Sequence, residues 1–185
     1  MSVRQIIFSN DPLLHRPSRR VRRVDVDMQE LIEDMIETMH QADGIGLAGV
    51  QVGVAERVIV VELPIIPEDE DEEIEGPIDS ELLVLINPEL VRASHEMEEG
   101  IEGCLSVPGW VGEVERHCAV TVEGLDRGGN KVRVEAEGLL ARVFQHEIDH
   151  CQGILFIDRI QDPEKIWPVE EGREEEAEAA QQVFG

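Results

Sequence analysis

The densest chemistry in the chain lies at His146 and His150, which are separated by Glu147, Ile148 and Asp149. Residues four apart on a helix stand one turn apart on the same face. Both imidazoles can then reach one divalent ion at ~2.0–2.1 Å, with Glu147 beside it. Such a pair, with an acid next to it, is the pattern of metal-dependent hydrolases in which the glutamate serves as general base. The bland reading is two surface histidines among solvated charges. Against it, Leu139, Leu140, Val143, Phe144 and Ile148 trace an apolar stripe through residues 139–152. That stripe predicts a buried helix whose histidines face something specific.

A catalytic metal needs a third protein ligand and an open position. The metzincin continuation H-E-x-x-H-x-x-G-x-x-H is met at Gly153, but Phe156 stands where its last histidine belongs. A downstream glutamate is a second candidate, and the acidic end of the chain offers several. The cysteines are the third. Cys118 lies inside a strand pattern and Cys151 follows His150; both read as small buried hydrophobes. Cys104 differs, because it sits between Gly103 and Leu105 with Gly100 and Pro108 nearby, where small neighbours admit a metal or a substrate. One thiolate, two imidazoles and an open position make a catalytic centre and not a closed structural one.

The elements that must position these groups follow from periodicity. Residues 1–24 form an irregular arm with turn signals at Asp11-Pro12 and Arg16-Pro17. Met28, Leu31, Ile32, Met35, Ile36 and Met39 predict a helix over about 27–42, capped by Asp25 or Asp27 and closed by Gly44. Gly44, Gly46 and Gly49 fit G-x-G-x-x-G, but a helix precedes them and the strand-like 57–61 follows, which is the reverse of a dinucleotide site. A glycine loop that lets an extended peptide approach, or a plain tight turn, remains. Strands are predicted at 82–86 and 89–95, around Asn87-Pro88. Residues 111–123 and 131–136 flank a turn at 126–130 as a hairpin, and 154–157 reads as a short strand. The fold class is therefore α+β, with small antiparallel sheets packed around a central metal-binding helix. One domain covers 1–169 and carries an acidic, proline-punctuated insertion at about 64–80; residues 170–185 are an acidic tail, either a frayed helix or disordered.

Composition narrows the function. The 185 residues hold 41 Asp+Glu against 16 Lys+Arg, a formal net charge of −25, which argues against nucleic acid as a direct ligand. Arg16, Arg19, Arg20, Arg22 and Arg23 form the one basic cluster, either a solvated loop paired with nearby acids or a partner-facing patch. No run is apolar enough to span a membrane and no signal peptide is evident, so the expected compartment is the cytoplasm. Three cysteines without a C-x-x-C pair agree with a reduced environment.

Three stretches in order, GIGLAGVQ at 44–51, EGCLS at 102–106 and QHEIDH at 145–150, resemble the signature motifs of peptide deformylases, and the likeness spans roughly residues 1–160. Gly49 departs from the alanine more common there, and the acidic insertion is longer than in many members. The resemblance implies a metal-dependent hydrolase that removes the formyl group from the N-terminal formyl-methionine of nascent polypeptides and releases formate. It implies one divalent ion on Cys104, His146 and His150: Fe²⁺ as the native ion, with Zn²⁺, Ni²⁺ or Co²⁺ accepted. Glu147 would handle the water's proton, while the Gln51 amide and the Leu105 N–H would receive charge on the formyl oxygen. Ile45 and Gly46 would pair with the substrate backbone, and Gly44, Glu102, Leu139 and Val143 would line the methionine pocket. Members that dock on the ribosome through a C-terminal helix use basic residues. Here Glu170, Glu171, Glu174, Glu175, Glu176 and Glu178 face a single Arg173 in that stretch, which puts such docking in doubt. The competing readings are a zinc endopeptidase with a glutamate as third ligand, and a non-catalytic metal-binding adaptor.

Overall fold

The computed structural model describes residues 2–65 and 80–169. In chain order the elements are α1 (Val26–Gln41), β1 (Gly46–Ala48), a 3₁₀ turn (Gly49–Val52), β2 (Val58–Pro64), β3 (Ser80–Ala93), β4 (Met97–Glu102), β5 (Trp110–His117), β6 (Ala119–Leu125), β7 (Lys131–Glu137), α2 (Gly138–Gln152), 3₁₀ turns at Phe156–Arg159 and Pro163–Lys165, and β8 (Ile166–Pro168). They build two antiparallel sheets, of order β1-β2-β3-β6-β7 and β4-β5-β8.

The larger sheet lies between the two helices, which accounts for the unbroken apolar run of β2. Ile59 and Val61 face the core on the α2 side with Ala48, Phe144 and Ile148. Val58 and Val60 face the other way, against Leu31, Ile32, Met35 and Met39 of α1. Because successive side chains alternate between faces, a strand covered on both sides is apolar throughout. Asp25 caps α1 by accepting the Met28 N–H at 3.3 Å, and Arg22 to Val24 lead in as extended arm.

The structure departs from the sequence reading in five places, each with a local cause. α1 closes on Ala42, and the left-handed residue is Asp43 (φ 53) and not Gly44. A short polar side chain tolerates that region, and Gly44 is small for another reason: a Cβ there would lie 3.1 Å from the Leu105 side chain. The glycine stretch at 44–51 is an edge strand followed by a 3₁₀ turn, not a loop. The strands expected at 82–86 and 89–95 are one strand, β3, because Asn87 (φ 55) shifts the register between Ile86 and Glu89 without ending the pairing. The stretch 111–123 divides at Cys118 into β5 and β6, which belong to different sheets, and Cys118 is half-buried and not fully buried. Finally, 154–157 is not a strand. Asp158 accepts the Leu155 N–H at 2.8 Å and turns Phe156–Arg159 into a 3₁₀ helix, while β8 supplies the third strand of the smaller sheet. The acidic tail and most of the insertion lie outside the described residues; β2 and β3 pair as far as Pro64 and Ser80.

Candidate active site around a cysteine and two histidines

α2 buries eleven of its fifteen residues, among them the polar Arg142, Gln145, His146, Glu147, Asp149 and His150. A helix of that composition can be buried only if its polar groups find partners. Gly153 (φ 79) ends it, at a point where a Cβ would meet the Arg16 backbone at 2.6 Å.

The His150 Nε2 lies 3.1 Å from the His146 Nε2 and 3.3 Å from the Cys104 Sγ. All three donor atoms lie within 4.8 Å of one another and all three residues are buried. A tetrahedral ion with ordinary Zn–N and Zn–S bond lengths separates such ligand atoms by about 3.3–3.6 Å, so the trio is spaced for one divalent ion. Its electrostatics agree. Burial pushes the Cys104 thiol up to about 12, so a cation is what would hold the thiolate form. Burial, with His146 and Arg116 nearby, pushes His150 well below its ordinary value, into the neutral form that ligates. Among the described residues no glutamate joins the trio; the glutamates of the acidic tail lie outside them.

His146 is oriented from behind. Its Nδ1 lies 2.9 Å from the Glu102 Oε2, leaving Nε2 for the metal side. Glu102 is fully buried and also accepts from Arg116 Nε and Nη2 at 2.8 and 2.9 Å and from Arg142 Nη1 at 3.0 Å. Burial opposes its ionisation, but Arg116 and His146 outweigh that, and the carboxyl sits well below the usual range. Arg116 continues to Asp149 at 2.5 Å, and Arg159 bonds the same carboxylate at 2.7 Å. Arg116, Arg142, Asp149 and Arg159 were not singled out from the sequence. Glu102, expected to line the methionine pocket, has both oxygens engaged by these partners.

Glu147 is 2 % exposed, and its Oε2 has no hydrogen-bond partner among the described residues. Burial, reinforced by the charge of Glu102 and opposed by Arg116, raises its carboxyl well above the usual range. Gly46 makes room for it, since a Cβ at that position would fall 2.5 Å from the Glu147 Oε1. Gln51 is fixed by the Ala48 N–H, which donates to its Oε1 at 2.8 Å. Its amide nitrogen then points at Cys104 Sγ (3.6 Å) and Ser106 Oγ (3.3 Å). Gly44 abuts Leu105, and Val143 is buried in the same core cluster as Cys104. Leu139 stands 40 % exposed at the start of α2, about two turns from His146. Among the described residues β1 pairs with β2 on one side only, and the Ile45 carbonyl already accepts from the Glu62 N–H at 2.9 Å. Antiparallel alternation then turns the N–H and C=O of Gly46 to the open edge.

The polypeptide deformylase family model matches residues 3–166. The peptide deformylase of Thermomicrobium roseum is 50 % identical over 180 residues, covering 97 % of this chain and 98 % of that protein. The Rhizobium meliloti enzyme is 47 % identical over 160 residues, with 86 % of each covered. Among solved structures, peptide deformylase from Ehrlichia chaffeensis superposes with a TM-score of 0.77 at 40 % identity, over 87 % of this chain and 89 % of that one. One from Synechococcus elongatus, in complex with actinonin, gives 0.74 at 40 % identity, over 86 % and 79 %. With near-complete coverage, these identities and a shared fold, the chain belongs to the peptide deformylase family, metal-dependent hydrolases that remove N-terminal formyl groups.

Proposed function

We propose that the substrate is the formyl-methionyl end of nascent polypeptides, hydrolysed to formate and a free amine by the residues gathered around Cys104. The observation that carries this reading is the Glu147 Oε2, without a hydrogen-bond partner among the described residues and buried beside three converging side chains that could hold a metal. Cys104, His146 and His150 would hold the ion. When bound, the ion supplies a Lewis acid that makes water a competent nucleophile near neutral pH. One thiolate and two imidazoles accommodate Fe²⁺, Zn²⁺, Ni²⁺ or Co²⁺ alike, and Fe²⁺ as the native ion rests on the family resemblance.

Glu147 does the proton work. Its raised affinity for protons suits a carboxylate that takes one from the attacking water and passes it to the leaving nitrogen as the C–N bond breaks. The water oxygen ends in formate. The Gln51 amide and the Leu105 N–H receive the negative charge that grows on the formyl oxygen; one such donor is typically worth ~3–4 kcal/mol of barrier. The peptide would lie along the open edge of β1, bonded at Gly46 with Ile45 beside it, and its methionine side chain would enter between Gly44, Leu139, Val143 and the methylenes of Glu102. One catalytic domain over residues 1–169 and a cytoplasmic setting complete the reading. A ribosome contact would not use the acidic tail as the basic helices of other members are used.

The test is formate release from formyl-Met-Ala-Ser by anaerobically prepared, Fe²⁺-loaded protein, run beside casein cleavage. Formate without casein cleavage is expected, together with inhibition by actinonin, the ligand of the Synechococcus elongatus structure. Casein cleavage, or metal binding with no turnover, would overturn the proposal.

A further inference from the structure

The N-terminal arm reaches further into the catalytic machinery than its place in the sequence suggests. Leu14 is fully buried in the core cluster that holds Cys104, Val143 and Phe144, and Ile7 and Leu13 pack against that cluster. Between these anchors the Asp11 N–H donates to the Phe8 carbonyl at 2.8 Å, so residues 8–11 form a turn with Ser9 second. The Asp11 side chain accepts the Leu13 N–H at 2.9 Å, and His15 Nε2 lies 2.8 Å from the Ser9 carbonyl. A turn braced in this way is a fixed platform.

Two main-chain amides of this arm meet the segments around the site. Ile7 N–H donates to the Gln51 carbonyl at 2.9 Å, and Ser9 N–H donates to the Ser106 carbonyl at 2.8 Å. Gln51 lies on the 3₁₀ turn after β1 of the larger sheet, and Ser106 follows β4 of the smaller one. No strand pair joins the two sheets among the described residues, so the arm is a staple across them. Gln51 Nε2 also donates to the Oγ of the fully buried Ser106 at 3.3 Å. Arm, Gln51 and Ser106 therefore close a ring beside Cys104, whose sulfur the Ser106 N–H also faces as a donor.

We propose, resting on the Gln51 amide as donor to the formyl oxygen, that the N-terminal arm positions that donor through Ser106. A carboxamide offers one oxygen acceptor and two N–H donors. Ala48 N–H engages the Gln51 oxygen at 2.8 Å, and Ser106 Oγ takes one N–H. The second N–H is left on the side of Cys104, with Nε2 3.6 Å from Sγ. Such a donor is worth most when it is already aimed as charge develops, because no reorganisation is then needed. Held at its oxygen alone, the carboxamide could swing about that one bond. Ser106 Oγ stops the swing, and the Ser9 N–H fixes Ser106. Ile7 and Ser9 act through their main chain, so they are positioning residues that no side-chain motif announces.

The experiment compares kcat and KM for formyl-Met-Ala-Ser, together with metal content, across metal-loaded variants of the full chain. Ser106→Ala deletes one hydroxyl. Ser9→Pro deletes one N–H, and proline suits the second position of such a turn. Each should lose about 3–10-fold in kcat, as expected for one neutral hydrogen bond, with KM and metal content unchanged. His15→Ala removes the brace on the Ser9 carbonyl from an exposed side chain, and so tests the arm even if Ser9→Pro does not fold. It should lose about 2–5-fold in kcat. Gln51→Ala should lose ~10²–10³-fold. Adding any of the other three changes to it should slow it no further, because all act through one donor. Asp34→Ala loosens the arm from α1 at Ser2 and Arg4 and should lower the melting temperature without changing kcat. Parent kcat in Ser106→Ala or in both arm variants would overturn the positioning role. So would a loss that persists undiminished beside Gln51→Ala, or an equal fall in Asp34→Ala. Parent kcat in Gln51→Ala would overturn the donor role as well, which tells the two failures apart.

Discussion

Gly46→Ala acts on the position of the Glu147 carboxylate while leaving the metal donors and the Gly46 N–H and C=O in place. The backbone of Gly46 is not in the left-handed region, so alanine brings no conformational penalty there. The added Cβ would lie 2.5 Å from the Glu147 Oε1, 3.0 Å from its Cδ and 3.1 Å from its Cγ, whereas ordinary contact begins at 3.4 Å. The carboxylate must therefore retreat by about 0.9 Å, and at 2 % exposure it has no solvent to retreat into. A misplacement of ~1 Å at a reacting group costs ~10²-fold, or about 2.7 kcal/mol of barrier. Overpacking should take a further ~1–3 kcal/mol from stability. The metal donors are untouched, so metal content should stay at one per chain. Formate release, metal content by emission spectroscopy and urea unfolding would be followed on the same preparations. Glu147→Gln alone should keep its metal and lose ~10²–10⁴-fold in turnover. Adding Gly46→Ala to it should lower the rate little further, because both changes act through one group. If Gly46→Ala turned over within a factor of two of the parent, or lost its metal, the argument from position would fail.

Three further outcomes are expected. Cys104→Ser should release the metal while Cys118→Ser and Cys151→Ser retain it; equal retention in all three would remove Cys104 from the ligand set. Arg116→Ala leaves Glu102 and Asp149 buried without their shared cation, so urea unfolding should show a loss of ~3–5 kcal/mol, and a loss under ~1 kcal/mol would mean the network contributes little. Asp34 accepts from the Ser2 N–H at 2.7 Å and from Arg4 Nε at 3.0 Å, and, with the Ser2 bond the main cause, its carboxyl is held below its ordinary value against the opposing effect of burial. A lowered value in the folded state stabilises above the unfolded pKa of ~3.9 and fades as pH falls through the folded one. The melting-temperature gap between parent and Asp34→Asn should thus be wide at neutral pH and close in acid, and a gap that ignores pH would refute it.

The convergence of Cys104, His146 and His150 was legible because its signal is local: two histidines one helical turn apart, and a cysteine set among glycines. The carboxylate and arginines behind it were not, because Glu102, Arg116 and Asp149 meet across β4, β5 and α2, and an arginine in an alternating strand reads as surface. The parity of β5 held the clue, since Arg116 falls on the same face as Val114, and an inward arginine requires an acid. Gly44 was misjudged for a related reason. Glycine after a helix suggests a left-handed cap, but here its missing Cβ serves the packing of Leu105. The apolar run at 154–157 is buried around Leu155 and Phe156 as a strand would be, and periodicity alone cannot see that Asp158 folds back on it.

β3 has one more consequence. Its first half, from Ser80 to Ile86, pairs with β2, and its second half, from Ile86 to Ala93, pairs with β6, so the two neighbours overlap only at Ile86. Mechanically it is a beam held at the middle, with the Pro64–Ser80 end projecting as a cantilever. Sequence added beyond that end lengthens a closure whose entropy grows only logarithmically, and it disturbs no pair nearer the support. The metal donors and Glu147 belong to α2 and to the segment after β4, so none of them is carried on that tip. This is where the fold can accept insertions of very different length and charge, natural or grafted, at little cost to catalysis.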